Sequence, residues 1–129
     1  MISDEAMHSI QKRKLRKLIG EVDFLISLKR PSSLSEAHYI SEMNLERIKF
    51  QLELNSLMLQ DADGSDERKQ LEEKRNELQE SFAAELRNGL EILDTLVDNL
   101  RDIGMYDKAE ELEILRDVRE SELEEVKAP

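Results

Sequence analysis

LSEAHYISEMNLERIKFQLELNSLMLQD, residues 34–61, carries apolar side chains in two directions. At 100° per residue, Leu34, Ala37, Leu45, Ile48, Leu52 and Leu59 point one way. Tyr39, Ile40, Met43, Phe50, Leu54, Leu57 and Met58 point nearly the opposite way. A helix on the surface of a globular protein needs one apolar stripe, whereas a helix with two must be covered from both sides. The stretch therefore predicts a middle helix in a bundle, with its covering helices supplied by the residues on either side. Ser33-Leu34-Ser35-Glu36 is a capping box that marks where it starts.

Upstream, a first helix is predicted over about 4–29, with Ser3 or Asp4 as N-cap and Pro31 forbidding its continuation. Met7, Leu15, Leu18, Ile19, Val22, Leu25 and Ile26 form its expected core face. Lys12, Arg13, Arg16 and Lys17 are expected opposite, with a thinner apolar strip of Ile10, Phe24 and Leu28 beside them. Downstream, Asp63-Gly64-Ser65-Asp66-Glu67 offers a glycine for a left-handed helix end, a serine N-cap and first-turn acids, which predicts a tight helical hairpin. A third helix, about 66–103, follows a single stripe through Leu71, Leu78, Phe82, Leu86, Gly89, Leu93, Leu96, Leu100 and Ile103. Asn88-Gly89 is its expected weak point and Gly104 its end. A fourth helix, about 107–126, is shorter, carries Leu112, Leu115, Val118, Leu123 and Val126, and is expected to fray near Pro129.

The fold class read from this pattern is all-α. It is an antiparallel, coiled-coil-like bundle of three long helices plus a shorter C-terminal one, with no sheet, forming a single domain over residues 1–129. Composition agrees, since 38% of the 129 residues are charged, only 4% are aromatic, and Leu, Glu, Lys and Arg dominate. Gly104-Met105-Tyr106-Asp107-Lys108-Ala109 resembles the turn of a tetratricopeptide hairpin over those six residues. Glu113 and Arg116 depart from the pattern where an aromatic and an alanine would stand, so the resemblance implies a sharp turn at Gly104 and nothing beyond it.

Charge is unevenly spread. Residues 1–30 hold seven Lys/Arg against four Asp/Glu, net +3, and residues 31–129 hold twelve against twenty-six, net −14, within a total of −11. The acidic bulk would repel nucleic acid and anionic lipid. No apolar run is long enough for a membrane span, and charges occupy the place of a signal peptide's apolar stretch, so the chain is expected to be unprocessed and cytoplasmic. The absence of Cys removes disulfides and thiolate metal sites and suits a reducing compartment.

Candidate chemistry is sparse. Glu5-Ala6-Met7-His8 has the Glu-x-x-His spacing of di-iron bundles, which need it twice, and the only other histidine, His38, has no Glu three residues before it. His38 also lacks the neighbouring lysine of a phosphotransfer histidine. Asp61, Asp63, Ser65 and Glu72 match positions of a calcium loop, but Asp66 stands where the sharp turn needs glycine. No nucleophile, base and orienter can be assembled. The expectation is a non-enzyme without metal or cofactor.

What remains is contact with protein. The third helix offers only Leu71 and Leu78 opposite the far end of residues 34–61, so Phe50, Leu54, Leu57 and Met58 are expected to be under-covered. They become a binding face for a protein partner or, in an antiparallel homodimer, for a second copy. Lys12, Arg13, Arg16 and Lys17 would meet an acidic surface on that partner. The function expected is that of a small acidic helical chaperone, adaptor, inhibitor or assembly factor. The alternative is a nucleic-acid-associated regulator using the basic segment, which holds no aromatic to stack on a base; the chain has no Trp to anchor in a lipid interface, and no membrane contact is expected.

Overall fold

A computed structural model describes residues 3–28 and 33–127. It contains four helices: α1 (Asp4–Ser27), α2 (Leu34–Asp61), α3 (Ser65–Asp102) and α4 (Tyr106–Lys127). No strand occurs among the described residues. Each helix packs antiparallel on the next in the chain, α1 on α2, α2 on α3 and α3 on α4. The expected arrest of the first helix by Pro31, its extension to residue 29 and the fraying at Pro129 lie outside the described residues.

Helix starts follow the capping chemistry. Ser3 accepts a hydrogen bond from the Ala6 amide at 3.1 Å and Ser33 from that of Glu36 at 3.2 Å. At the α2–α3 hairpin the structure departs from expectation. Gly64 is itself the N-cap of α3, with φ −107°, and Ser65 is the first helical residue. The connection is extended at Ala62 (φ −70°, ψ 129°), so it reverses the chain without a left-handed residue. That conformation is reserved for Gly104 (φ 82°). There Gly104 N–H donates to Arg101 C=O at 3.0 Å and Met105 N–H to Leu100 C=O at 2.8 Å, the paired bonds of a Schellman motif. The sharp turn read from Gly104 to Ala109 is thus present, with Ala109 buried behind it.

The α3 helix runs unbroken through Asn88-Gly89, 38 residues and about 57 Å long. Gly89 does not weaken the helix into a break because it serves packing. A Cβ there would stand 3.0 Å from Ser41 Oγ of α2, so the two backbones approach where glycine allows it. The main core lies close by, where Leu45 and Ile48 of α2, Phe82, Ala83 and Leu86 of α3, and Leu123 of α4 meet. Beyond that core the α3 stripe continues through Leu93 and Val97, while Ile103, expected inside, is exposed at the turn.

The two-sided reading of α2 holds. Leu45 and Ile48 face α3 and α4, while Met43, Phe50, Leu54, Leu57 and Met58 lie on the opposite side, where α1 packs. The face assigned to α1 needs correction. Its seam on α2 is His8, Lys12, Leu15, Ile19, Val22 and Ile26, a regular four-three spacing, whereas Met7, Leu18 and Leu25 are exposed. With a single neighbour α1 buries a narrow coiled-coil seam instead of a wide sector. Two polar positions join that seam because Asp61 of α2 bonds both: His8 Nδ1 lies 2.8 Å, and Lys12 Nζ 2.6 Å, from its carboxylate. Lys12 therefore faces inward, not outward as the helical wheel had placed it.

Candidate protein-binding groove

The helices α1 and α3 flank α2 without meeting each other. Between them α2 presents Gln51, Leu54, Asn55 and Met58, spaced i, i+3, i+4 and i+7 along one stripe, as the floor of a groove of about 390 Å³. Ile19 forms one wall from α1; Leu71 and Leu78 form the other from α3. Arg16 and Lys74 stand on opposite sides, and no carboxylate lines the groove. In a chain of net charge −11 this is an apolar trough with cationic edges. Asn55 is buried in its floor: its Nδ2 donates to Leu71 C=O at 2.9 Å, tying α2 to α3, and its Oδ1 has no partner.

Two polar clusters tie the helices together at the two ends of α2. At one end, the hydrogen bond from Lys12, followed by that from His8, holds the Asp61 carboxyl below its ordinary pKa. This clamp fixes the start of α1 against the end of α2. Arg75 Nη1 donates to Ser56 Oγ at 2.6 Å, and Arg47 pairs with Asp23 at 3.0 Å along the α1–α2 seam. At the other end, Arg119 of α4 forks onto Glu42 of α2 and also bonds Glu122, which lies 3.5 Å from Lys49. Its bidentate grip is the geometry in which arginine exceeds lysine. Beside it, burial pulls the His38 imidazole below its ordinary pKa, with Glu42 opposing and Arg119 adding to the effect.

The structure divides the residues singled out from sequence. Leu54 and Met58 lie in the groove, and Arg16 is at its edge. Phe50 sits instead with Glu46, Lys49 and Leu52, and Leu57 with Gln11, Lys14 and Leu15, in separate depressions elsewhere along α2. All four apolar residues of the face expected to be under-covered are half-buried, with Ile19 of α1 beside Leu54 and Met58 and Leu15 of α1 beside Leu57. Lys12 is spent on Asp61, and Arg13 and Lys17 are exposed on the outer side of α1. Sequence reasoning missed Gln51, Asn55 and Lys74. The signal for the first two was the i, i+3, i+4, i+7 run, obscured because polar residues occupy half of it.

Asp61, the first position of the calcium-loop match, is engaged by Lys12 and His8, which also occupies the histidine of Glu5-x-x-His8. Among the described residues no group of three His, Cys, Asp or Glu side chains is placed to hold a metal ion, and no helix is long and apolar enough to cross a membrane. No protein-family model matches the chain, and neither the curated proteins nor the solved structures contain a significant match to it.

Proposed function

We propose that this chain is a non-enzymatic protein-binding module whose groove between α1 and α3 receives an acidic amphipathic helix from a partner protein. The observation that carries the reading is the half-buried stripe of α2 that floors the groove, apolar at Leu54 and Met58 and bounded by Arg16 and Lys74 with no carboxylate among the lining residues. A helix docks in such a trough through apolar anchors at i, i+3 or i+4 and i+7, the same periodicity as the floor. The cations at the edges select acidic flanks, which contribute orientation and rate more than affinity. Holding another chain in this way is the act shared by chaperones, adaptors, inhibitors and assembly factors, and fold alone does not divide them.

The test uses two synthetic helical peptides with the same leucine stripe, one flanked by Glu and one by Lys, titrated against the isotope-labelled chain by NMR. The Glu-flanked peptide is expected to bind with a Kd on the order of 10–100 µM and to perturb the resonances of Leu54, Met58, Leu71 and Leu78. Exchanging Arg16→Glu and Lys74→Glu together should transfer the preference to the Lys-flanked peptide while leaving the fold intact. Equal binding of both peptides, or perturbations elsewhere on the surface, would refute the assignment.

A further inference from the structure

Half of the twelve large hydrophobic residues exposed among the described residues lie on α1 or its C-cap: Met7, Ile10, Leu18, Phe24 and Leu25 in the helix and Leu28 at its end. They lie on its outer side, away from the seam with α2, within one sector about 120° wide at 100° per residue. The same sector contains Lys14, Lys17 and Glu21. This surface is separate from the groove and belongs to a helix that contacts only α2.

We propose that the outer face of α1 docks against the same face of a second copy of this chain, in an antiparallel two-fold contact. The order of residues along the face selects this arrangement. About an axis between Lys17 and Leu18, positions equally distant on either side stand opposite one another in the two copies. Met7 meets Leu28, Ile10 meets Leu25, and Lys14 meets Glu21, and the symmetry makes each pairing twice. Apolar therefore meets apolar at two levels and cation meets carboxylate at a third, while Leu18 lies at the axis one residue from its own copy and Phe24 stands opposite Gln11. Among the described residues neither Lys14 nor Glu21 has an ion-pair partner within its own chain. A parallel pairing would instead set Lys14 against Lys14 and Glu21 against Glu21. The charges choose orientation and register, and the six apolar side chains supply the attraction.

The contact is modest. Two helices of 24 residues meeting along their length bury on the order of 1,000 Å² in total, near the lower limit for specific association, so the dimer is weak, with a Kd of roughly 10–100 µM. An anionic lipid surface is the other chemistry that recognises a helix with basic and apolar residues on one side. It is disfavoured by Glu21, which sits in the middle of the face and would be pressed against the headgroups, and by the net charge of −11.

Sedimentation equilibrium on the full chain tests the proposal. The wild type is expected to show a monomer–dimer equilibrium, and Glu21→Lys and Lys14→Glu are each expected to weaken it by about tenfold or more, because each sets like charges opposite one another. Mixed together, the two variants should pair with each other as well as the wild type pairs with itself, since each then supplies the charge the other lacks. Both positions are exposed, so the variants should fold, as circular dichroism would check. Because the chain has no cysteine, orientation is read directly: oxidised Leu18→Cys should cross-link to itself, and Met7→Cys only to Leu28→Cys. A wild type that stays monomeric at about 1 mM, tenfold above that Kd range, overturns the proposal. So does failure of the mixed variants to pair, self-cross-linking of Met7→Cys, or co-flotation with phosphatidylserine vesicles in place of dimerisation.

Discussion

The close approach of α2 and α3 at Ser41 and Gly89 allows a stability prediction whose sign depends on the order of substitution. Glycine inside a helix costs about 1 kcal/mol relative to alanine, so Gly89→Ala would stabilise α3 if space allowed. It does not, because the new methyl would sit 3.0 Å from Ser41 Oγ, and crowding a packed interface costs about 1–3 kcal/mol. Alone, Gly89→Ala is therefore expected to be neutral or destabilising by up to about 2 kcal/mol. Ser41 is 2% exposed and its hydroxyl has no hydrogen-bond partner, so Ser41→Ala relieves an unpaired buried polar group and should stabilise by about 1 kcal/mol. It also removes the atom that blocks Gly89. The double variant should then collect both gains, about 2 kcal/mol, equivalent to a rise in Tm of roughly 6–10 °C. Urea unfolding followed by circular dichroism across the four proteins of the cycle measures the coupling, expected at about 1–3 kcal/mol. If Gly89→Ala alone stabilises by its full helix-propensity gain, or the double variant is no more stable than Ser41→Ala, the steric account is refuted.

Replacing Arg119 with Ala leaves Glu42 and Glu122 without the cation between them, and thermal melts should show a loss of about 1–3 kcal/mol, larger than that of Glu42→Gln. Asp61 is held below its ordinary pKa in the folded chain, so its contribution is complete above that ordinary value of about 3.9 and disappears as pH falls through the lower folded value. Asp61→Asn should flatten this acid limb, as read from urea midpoints across pH 2–5, a window of about three units around it. His38 also titrates below its ordinary value when folded, so stability should decline as pH falls below about 6.5, and His38→Gln should remove that slope. Duplex DNA and RNA should show no binding tighter than about 1 µM near 150 mM salt, because Lys12 is engaged by Asp61 and the net charge is −11. A tighter complex lost on changing Arg13, Arg16 and Lys17 to Glu would favour the nucleic-acid reading instead.

Helix number, order and approximate length were legible because they rest on local physics. Ser33 caps α2, Gly104 ends α3, and the doubled stripe of α2 required neighbours on both sides. Partner-dependent features were harder to read. The wheel of α1 counted Met7, Leu18 and Leu25 as core because they are apolar, but a helix with one neighbour buries only its seam. That seam admits His8 and Lys12 because Asp61, 53 residues from His8, bonds both. Gly64 could have ended α2 or opened α3, and local preference alone did not decide between these roles. At the groove, Leu54, Met58 and Arg16 were found by apolarity and charge. Gln51 and Asn55 were missed because a polar side chain signals a floor only once the helices on either side are known.

That α1 is held by α2 alone has a consequence for how the molecule opens. The core of Leu45, Ile48, Phe82, Leu86 and Leu123 lies among α2, α3 and α4, so α1 can lift away without disturbing it. Backbone amides of α1 should exchange with solvent through a partial opening of lower free energy than global unfolding, while those around Leu86 report the whole molecule. One wall of the groove should thus be the first part of the molecule to open. The width presented to an incoming helix becomes a thermally sampled quantity, and a ligand that bridges Arg16 and Lys74 should slow amide exchange in α1 selectively.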